Sequence, residues 1–552
     1  MTKRSSSLSR RDVVIGAHFI AGLPGLLRRP IDAAGAREVL RARFARREAD
    51  FLVTVDRLVY GSVESPFRRL LAAVGCGRGD LERLVTREGV EGALRVLLSH
   101  GVYLSADEFK GRRQTTRDGV TMLIEPHQLE NAHLAAGLPV RTSGSAGVST
   151  PLVIGLDFMR DALVNHRLDL EARGGMGWRH AVWGMPGGAA IYHVLRHVGA
   201  GARLDRLFSQ IDASAGGLHP RYRWSERLMR WTSVAAGRGL PRPEVVPAAD
   251  PSPIVRWAGA MLRAGATPHL QTFASLAVRF AQAARAAGVD LRGMEVTMSG
   301  EPVTEARLAE VTRTGAHALP LYGAMEGGGT LGVGCLSPAA ADEVHLFHDL
   351  RVVIPAGPEG AAHGLPPDAL LVSSLRPSAP YAMLNVSLGD QGVLGRRACG
   401  CPLEALGWST HLHGVRSFEK LTVGGMALPD GDLGRALEQV LPARFGGGPT
   451  DYQLVEDEAE DGRARLRLLV HPRIGAVDAR AVVAAFLGAI GRGNGAERIT
   501  ELVWWDQRVV VIERRAPLET PGGKILHLHR RSRPGRSADG SRDPAAPGSG
   551  SP

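Results

Sequence analysis

The sequence predicts an α/β protein in two parts: a large N-terminal domain of mixed sheets and helices, and a small C-terminal α+β domain carried on a hinge. Three observations lead there. The chain has 552 residues, too many for one hydrophobic core, so more than one domain is expected. From about residue 142 short apolar runs alternate with helical stretches, which is the pattern of an α/β body. Beyond about residue 417 the pattern changes to strand-like runs followed by a helix, which is that of a smaller α+β unit.

In chain order, residues 1–34 read as a basic N-terminal extension. Ser9-Arg10-Arg11-Asp12-Val13-Val14, followed by an apolar segment to Leu27, has the outline of a twin-arginine export signal. The segment contains His18 and no small-residue cleavage site, so it is expected as an amphipathic helix. The main domain is assigned to residues 35–416. Its first part, to about residue 130, reads as helical, because Val90, Leu94, Leu97 and Leu98 recur at helix spacing and Gly101 stands where a C-cap would. Ala181-Val182-Trp183 and Met294 to Met298 are expected strands, and Leu276 to Ala287 an expected helix closed by Gly288. The small domain is assigned to residues 417–531. In it Tyr452 to Val455 and Leu466 to Val470 read as strands joined across Asp461-Gly462, then a helix from about Asp478 to Ile490 and a strand from Val503 to Ile512. Residues 532–552 are Ser, Gly, Pro and Arg with almost nothing to bury, so a disordered tail is expected.

Charge and cysteine content narrow the function classes. The formal charge is +11, but residues 1–29 hold +5 of it and residues 527–552 hold +3, leaving +3 for the whole body. A body that nearly neutral lacks the basic footprint of a nucleic-acid binder, so no nucleic-acid partner is expected. No apolar run approaches the eighteen or so residues of a membrane span. Four cysteines in so long a chain cannot be a disulfide framework, and a reducing, cytoplasmic compartment is expected.

The chemistry is concentrated in short motifs. Arg141-Thr142-Ser143-Gly144-Ser145-Ala146-Gly147-Val148-Ser149-Thr150-Pro151 packs hydroxyls and glycines into one run. Gly144 and Gly147 can turn successive N–H groups inward, and Thr142, Ser143, Ser145 and Ser149 add neutral donors, as a phosphate-cradling loop requires. By composition alone an ordinary linker is the alternative. Downstream stand Met298-Ser299-Gly300-Glu301-Pro302, then Leu321-Tyr322-Gly323-Ala324-Met325-Glu326-Gly327-Gly328, then Leu388-Gly389-Asp390, and finally Thr520-Pro521-Gly522-Gly523-Lys524-Ile525.

In this order and spacing the five motifs resemble those of the adenylate-forming superfamily of acyl-CoA synthetases, adenylation domains and luciferases. The branch most similar is that of phenylacetate-CoA ligase. Ser65-Pro66-Phe67-Arg68-Arg69-Leu70-Leu71, Ala286-Ala287-Gly288-Val289-Asp290-Leu291 and Cys399-Gly400-Cys401 resemble segments of that branch. The chain departs from the superfamily pattern at Met325, in the absence of a lysine after Pro151, and in Asn385-Val386-Ser387-Leu388 before Gly389-Asp390.

The resemblance implies a two-step reaction. A substrate carboxylate attacks the α-phosphate of ATP to give acyl-AMP, which is then passed to a thiol. That thiol is CoA in an acid:CoA ligase. The alternatives are an enzyme loading an acyl carrier protein or another protein thiol, and a catalytically silent nucleotide-binding homologue. By the same resemblance the 142–149 loop holds the departing phosphates, Glu326 holds Mg²⁺, and Ser299, Gly300, Glu301, Tyr322 and Gly323 line the adenine site. Asp390 receives the ribose hydroxyls, Arg416 precedes the hinge, and Lys524 stabilises the adenylation transition state from the mobile domain. The acid is expected between Val182 and Gly300, near Trp183, His193 and Phe273. Partners are a small-molecule carboxylic acid and, for the alternative, a carrier protein; a homodimer stays open.

The thiols have a separate reading. Cys335, His345, Cys399 and Cys401 offer three sulfurs and one imidazole, a tetrahedral set for structural Zn²⁺, with His348 as the alternative imidazole. Free buried thiols are the competing expectation.

Overall fold

The computed structural model describes residues 10–28, 30–141, 151–185, 188–210, 212, 230–234, 236–417, 421–423, 426–428, 430–458, 464–490, 510–520 and 523–530. The 142–150 loop, the Asp461-Gly462 turn, residues 503–509 and the 532–552 tail lie outside the described residues.

The helix in the basic N-terminal segment spans Arg10–Leu27 and does not stand off from the body. Ile15, Phe19, Leu23, Leu26 and Leu27 recur every three or four residues, and all five are buried, four of them in the main core. Helices follow through Ala106–Phe109, one of them Arg78–Ser99, after which Gly101 takes φ 81°. The helical expectation to residue 130 fails at Thr115. Strands β1 (Thr115–Arg117) and β2 (Val120–Met122) form an antiparallel hairpin instead. The two residues between them, Asp118 and Gly119, have φ 42° and 79°, the left-handed pair that a tight two-residue hairpin turn requires.

A second antiparallel pair, β3 (Gly137–Arg141) with β4 (Pro151–Gly155), sets Arg141 opposite Pro151. Twelve strands then build one mixed sheet: β5 (Arg179–Gly184), β6 (Leu204–Ser209), β7 (Pro243–Val245), β8 (Pro268–Phe273), β9 (Glu295–Ser299), β10 (His317–Ala324), β11 (Gly329–Gly334), β12 (Val344–Leu346), β13 (Arg351–Pro355), β14 (Ala369–Ser374), β15 (Val386–Arg396) and β16 (Thr410–Ser417). Their order is β13-β14-β15-β16-β12-β11-β10-β9-β8-β5-β6-β7. The strands from β10 to β7 run parallel, and those from β10 to β13 antiparallel. Helices Ser252–Arg263 and Ala274–Ala286 cover one face of the parallel half, and Leu156–Ala172 and Gly188–Gly199 lie over the other. With both faces covered, β5 and β8 are buried along almost their whole length.

The C-terminal unit holds a hairpin of β17 (Leu421–Val423) and β18 (Met426–Leu428), and a sheet ordered β21-β20-β19-β22. Its strands are β19 (Tyr452–Glu458), β20 (Ala464–Val470), β21 (Val510–Arg514) and β22 (Leu528–Arg530). Helix Ala479–Ile490 packs on them, and Leu433, Leu454, Leu468, Phe486 and Ile490 belong to a core separate from those of the large sheet.

Candidate active site

Strand polarity changes at β10, and the motifs converge there. In a sheet of this kind side chains at the carboxyl ends of parallel strands border an open crevice. Phe273 ends β8, Ser299 ends β9, and the two are paired in register. Gly300 follows with φ 76°, and a Cβ at that position would come within 2.7 Å of the Phe273 ring and 3.3 Å of Lys524 Cε. Only glycine lets the backbone pass so near both.

Tyr322 on β10 donates its phenolic hydrogen bond to Asp390 Oδ2 on β15 at 3.0 Å. Burial first, then the Asp390 charge and hydrogen bond, push the phenol well above its ordinary pKa, so it stays a donor. Glu326 sits in the turn between β10 and β11, half-buried. Among the described residues nothing hydrogen-bonds its carboxylate, which leaves both oxygens to take a cation.

Lys524 arrives from the small domain. It is held in a turn by Thr520 N–H to its carbonyl at 2.8 Å and by its own N–H to Thr520 Oγ1 at 3.1 Å. Its Nζ lies 5.4 Å from the Phe273 ring centroid. Burial lowers its pKa from the ordinary lysine value, and the charges of Glu301, Glu326 and Asp390 pull it back up. One ammonium is therefore drawn toward three carboxylates, two from the turns that follow β9 and β10 and one from β15.

Glu301 has a different position from its neighbours in the motif. Its side chain is fully buried. It accepts from Ser275 N–H at 2.7 Å, Ser275 Oγ at 2.9 Å, Arg307 Nη1 at 3.0 Å and, across the domain boundary, Ile525 N–H at 2.8 Å. Arg307 in turn donates from Nε to Glu438 Oε1 at 2.7 Å, and Glu438 is also bound by Thr304 and, at 2.7 Å, by His527 Nε2. Burial opposes ionisation of Glu438, but Arg307 and then His527 outweigh it and hold the carboxyl down to about 2. Arg307, Glu438 and His527 had no motif to mark them. His527 lies three residues after Lys524, which is the only local signal.

Arg416 is placed apart from this group. It lies opposite Gln391 in the β15–β16 pairing, one position from Asp390, and its Nη1 is 3.1 Å from Asp342 Oδ2. Asp342 also accepts from the N–H groups of Gly414 and Val415. Thr142, Ser143, Gly144, Ser145, Gly147 and Ser149 lie outside the described residues.

The four sulfur and imidazole groups do come together. One ligand atom each from Cys335, His345, Cys399 and Cys401 lies within 4.8 Å of the others. His345 is fixed by Nδ1–H to Trp408 O at 2.6 Å, which leaves the Nε2 lone pair facing Cys401 Sγ at 3.2 Å and Cys399 Sγ at 3.6 Å. A tetrahedron with Zn–S near 2.3 Å and Zn–N near 2.0–2.1 Å has edges of about 3.5 Å, and a ring nitrogen anchored to a carbonyl is the usual outer contact of a metal-bound imidazole. The residues fit Zn²⁺. His348 is elsewhere, its ring against Phe44.

No protein-family model matches the chain, and no curated protein matches it. Among solved structures, 2-hydroxyisobutyryl-CoA ligase with 2-HIB-AMP in the postadenylation state is similar at 16% identity, covering 91% of each chain with a TM-score of 0.49. The same ligase with 2-HIB-AMP and CoA in the thioesterification state is similar at 16% identity over 92% of this chain and 89% of that one, TM-score 0.44. An anthranilate CoA ligase in complex with anthranoyl-AMP is similar at 12% identity over 70% and 65%, TM-score 0.41. No helix among the described residues is long and apolar enough to cross a membrane.

Proposed function

We propose that the protein is an ATP-dependent, AMP-forming acid–thiol ligase of the adenylate-forming superfamily, in its phenylacetate-CoA ligase-like branch, with CoA as the thiol. The observation that supports it most is the meeting of Lys524 with Glu326, Asp390 and Tyr322. These residues are separated by up to some two hundred positions and come from β10, the turn after it, β15 and the C-terminal unit, yet they face one site. A solvated tail lysine would have no reason to be there.

The reaction brings a carboxylate onto a phosphate, so two anions must be shielded from each other. Lys524 supplies a positive charge at that place, and the loop at 142–149 supplies neutral N–H and hydroxyl donors for the β- and γ-phosphates. Glu326 would hold Mg²⁺, whose chemistry there is to neutralise phosphate oxygens. Asp390 has two acceptor oxygens for a ribose diol, and the Tyr322 hydroxyl fixes one of them. The Cys335–His345–Cys399–Cys401 group is read as a structural Zn²⁺ site, because its fully protein-derived ligand set leaves no open position.

The test is ATP–pyrophosphate exchange against a panel of aryl and aliphatic acids, followed by thioester formation with CoA and with a holo carrier protein. Acid-dependent exchange and acyl-CoA formation are expected. No exchange with any acid supports the silent-homologue reading, and thioester on the carrier protein alone replaces CoA as the acceptor.

A further inference from the structure

Behind the site, on the sheet face under helices Leu156–Ala172 and Gly188–Gly199, lies a row of histidines. His166, His180, His197 and His269 are all buried, and His193 is half-buried at the end of the row. Three of them, His180, His197 and His269, stand close enough to suggest a metal centre. The hydrogen bonds assign those lone pairs otherwise.

Arg196 sets the direction, because a guanidinium can only donate. Its Nη2 is 3.0 Å from His166 Nδ1, so that nitrogen accepts and the His166 proton is on Nε2. His166 Nε2 is 3.2 Å from His197 Nδ1, which must therefore accept, placing the His197 proton on Nε2. That proton goes to Gln271 Oε1 at 2.9 Å. The Gln271 amide nitrogen is then committed to His193 Nδ1, at 2.8 Å. A second chain starts from the Gly175 carbonyl, which can only accept. It orients His180 Nε2–H at 2.9 Å, the 2.8 Å contact from His269 Nδ1–H to His180 Nδ1, and the 2.8 Å contact from Thr297 Oγ1 to His269 Nε2. Burial, then nearby positive charge, lowers the pKa of His166, His197, His269 and His193, the last to about 3. They stay neutral, so the tautomers hold.

The chain ends with His193 Nδ1 accepting, which puts its single proton on Nε2. Gln271, its partner, is two residues before Phe273 on β8 and on the same face. At the strand rise of about 3.3 Å per residue, Gln271 lies about 7 Å deeper than the ring beside Lys524. The neighbouring Tyr192 hydroxyl is 3.4 Å from Thr330 N, just past the turn that bears Glu326. Gln271 and Tyr192 thus fix His193 beside the strand β8 that ends at Phe273 and near the start of β11, just past the Glu326 turn.

We infer that His193 is a specificity-determining residue of the acyl pocket: its Nε2–H, locked by the Arg196–His166–His197–Gln271 relay, donates to the acid, so the acid activated bears an acceptor oxygen (hydroxyl, ether or carbonyl) along its chain. This rests on the acid-activating reading proposed above. Arg196, His166, His197 and Gln271 are positioning residues in it.

The experiment measures kcat/KM in ATP–pyrophosphate exchange for pairs of acids of equal shape, one with an ether oxygen or ketone and one with methylene in its place. Wild-type enzyme is expected to favour the oxygen-bearing member by about tenfold or more. His193→Leu is expected to bring the ratio close to one, and His193→Gln, whose amide N–H can occupy the place of Nε2–H, to restore most of it. Gln271→Met frees the tautomer and should lower the ratio, with the ¹⁵N shifts of the His193 ring moving from one tautomer to a mixture. Equal rates for both members in wild type, or an unchanged ratio in His193→Leu, overturn the inference while leaving acid activation in place. No exchange with any acid overturns the acid-activating reading, and the inference with it.

Discussion

Lys524 carries the largest consequence of any single residue. Its ammonium is drawn toward Glu301, Glu326 and Asp390 from a turn held by two bonds to Thr520. Removing one preorganised charge at a developing anion costs roughly 10²–10³ in rate. Lys524→Ala should lose acyl-AMP formation by at least that factor and keep thioester formation from supplied acyl-AMP. A mutant that exchanges pyrophosphate at the wild-type rate would remove the assignment. The sign of its titration adds a second readout. Burial lowers the lysine pKa, so the protonated form that helps the reaction is lost as pH rises, and lost earlier than for an exposed lysine. Exchange should therefore show an alkaline limb that Lys524→Arg shifts upward. Tyr322→Phe takes one neutral donor from Asp390 and should raise the KM for ATP by about threefold to tenfold.

At the scale of elements, the Cys335–His345–Cys399–Cys401 group ties the end of β11 and β12 to the connection between β15 and β16. Metal analysis of the purified protein should find one zinc per chain. Cys401→Ser should lower the zinc content and the Tm together, since metal bound only by the folded state stabilises it. Thiols that titrate fully in native protein lacking zinc would overturn this. The grouping of these four side chains could be anticipated because cysteines are rare in this chain, and its imidazole is His345 on β12, while His348, past the end of that strand, stands against Phe44. The strands β5 and β9 and helix Ala274–Ala286 were legible, the strands from short apolar runs and the helix from its closure by Gly288. The β1–β2 hairpin was written in Asp118-Gly119, between Thr115-Thr116 and Val120-Thr121, but the helical period upstream hid a strand only three residues long. Arg307, Glu438 and His527 could not be read at all. Each is an unremarkable polar residue in its local sequence, and only contacts spanning 131 and 89 residues make them a cluster.

Over the whole molecule, that cluster joins the large sheet to the C-terminal unit. Glu301 and Arg307 belong to the large domain, and Glu438, Ile525 and His527 to the small one, and their contacts are almost wholly shielded from water. At the rim Arg279 meets Glu519 at 2.6 Å and Arg473 meets Gln282 at 2.8 Å, more exposed and worth less. A buried ion pair broken on one side leaves a charge without compensation, at a cost of about 3–5 kcal/mol. Arg307→Met takes away the cation that Glu301 and Glu438 share and leaves them to the Ser275 and Ile525 donors and to His527, so the contact between the two units should loosen before either unfolds. With Lys524 carried by the C-terminal unit in the proposed mechanism, Arg307→Met should depress pyrophosphate exchange nearly as far as Lys524→Ala does. Thioester formation from supplied acyl-AMP should survive, since it does not call on Lys524. Acid should act in the same direction. Glu438 has its pKa held at about 2 against an ordinary 4.5, so its contribution is complete above about pH 4.5 and is lost as pH falls toward 2. Limited proteolysis of the 418–430 connection, followed across that range, should show cleavage rising as pH falls, and Glu438→Gln should flatten the dependence. Cleavage independent of pH in both proteins would place the docking energy at the rim and not in the buried cluster.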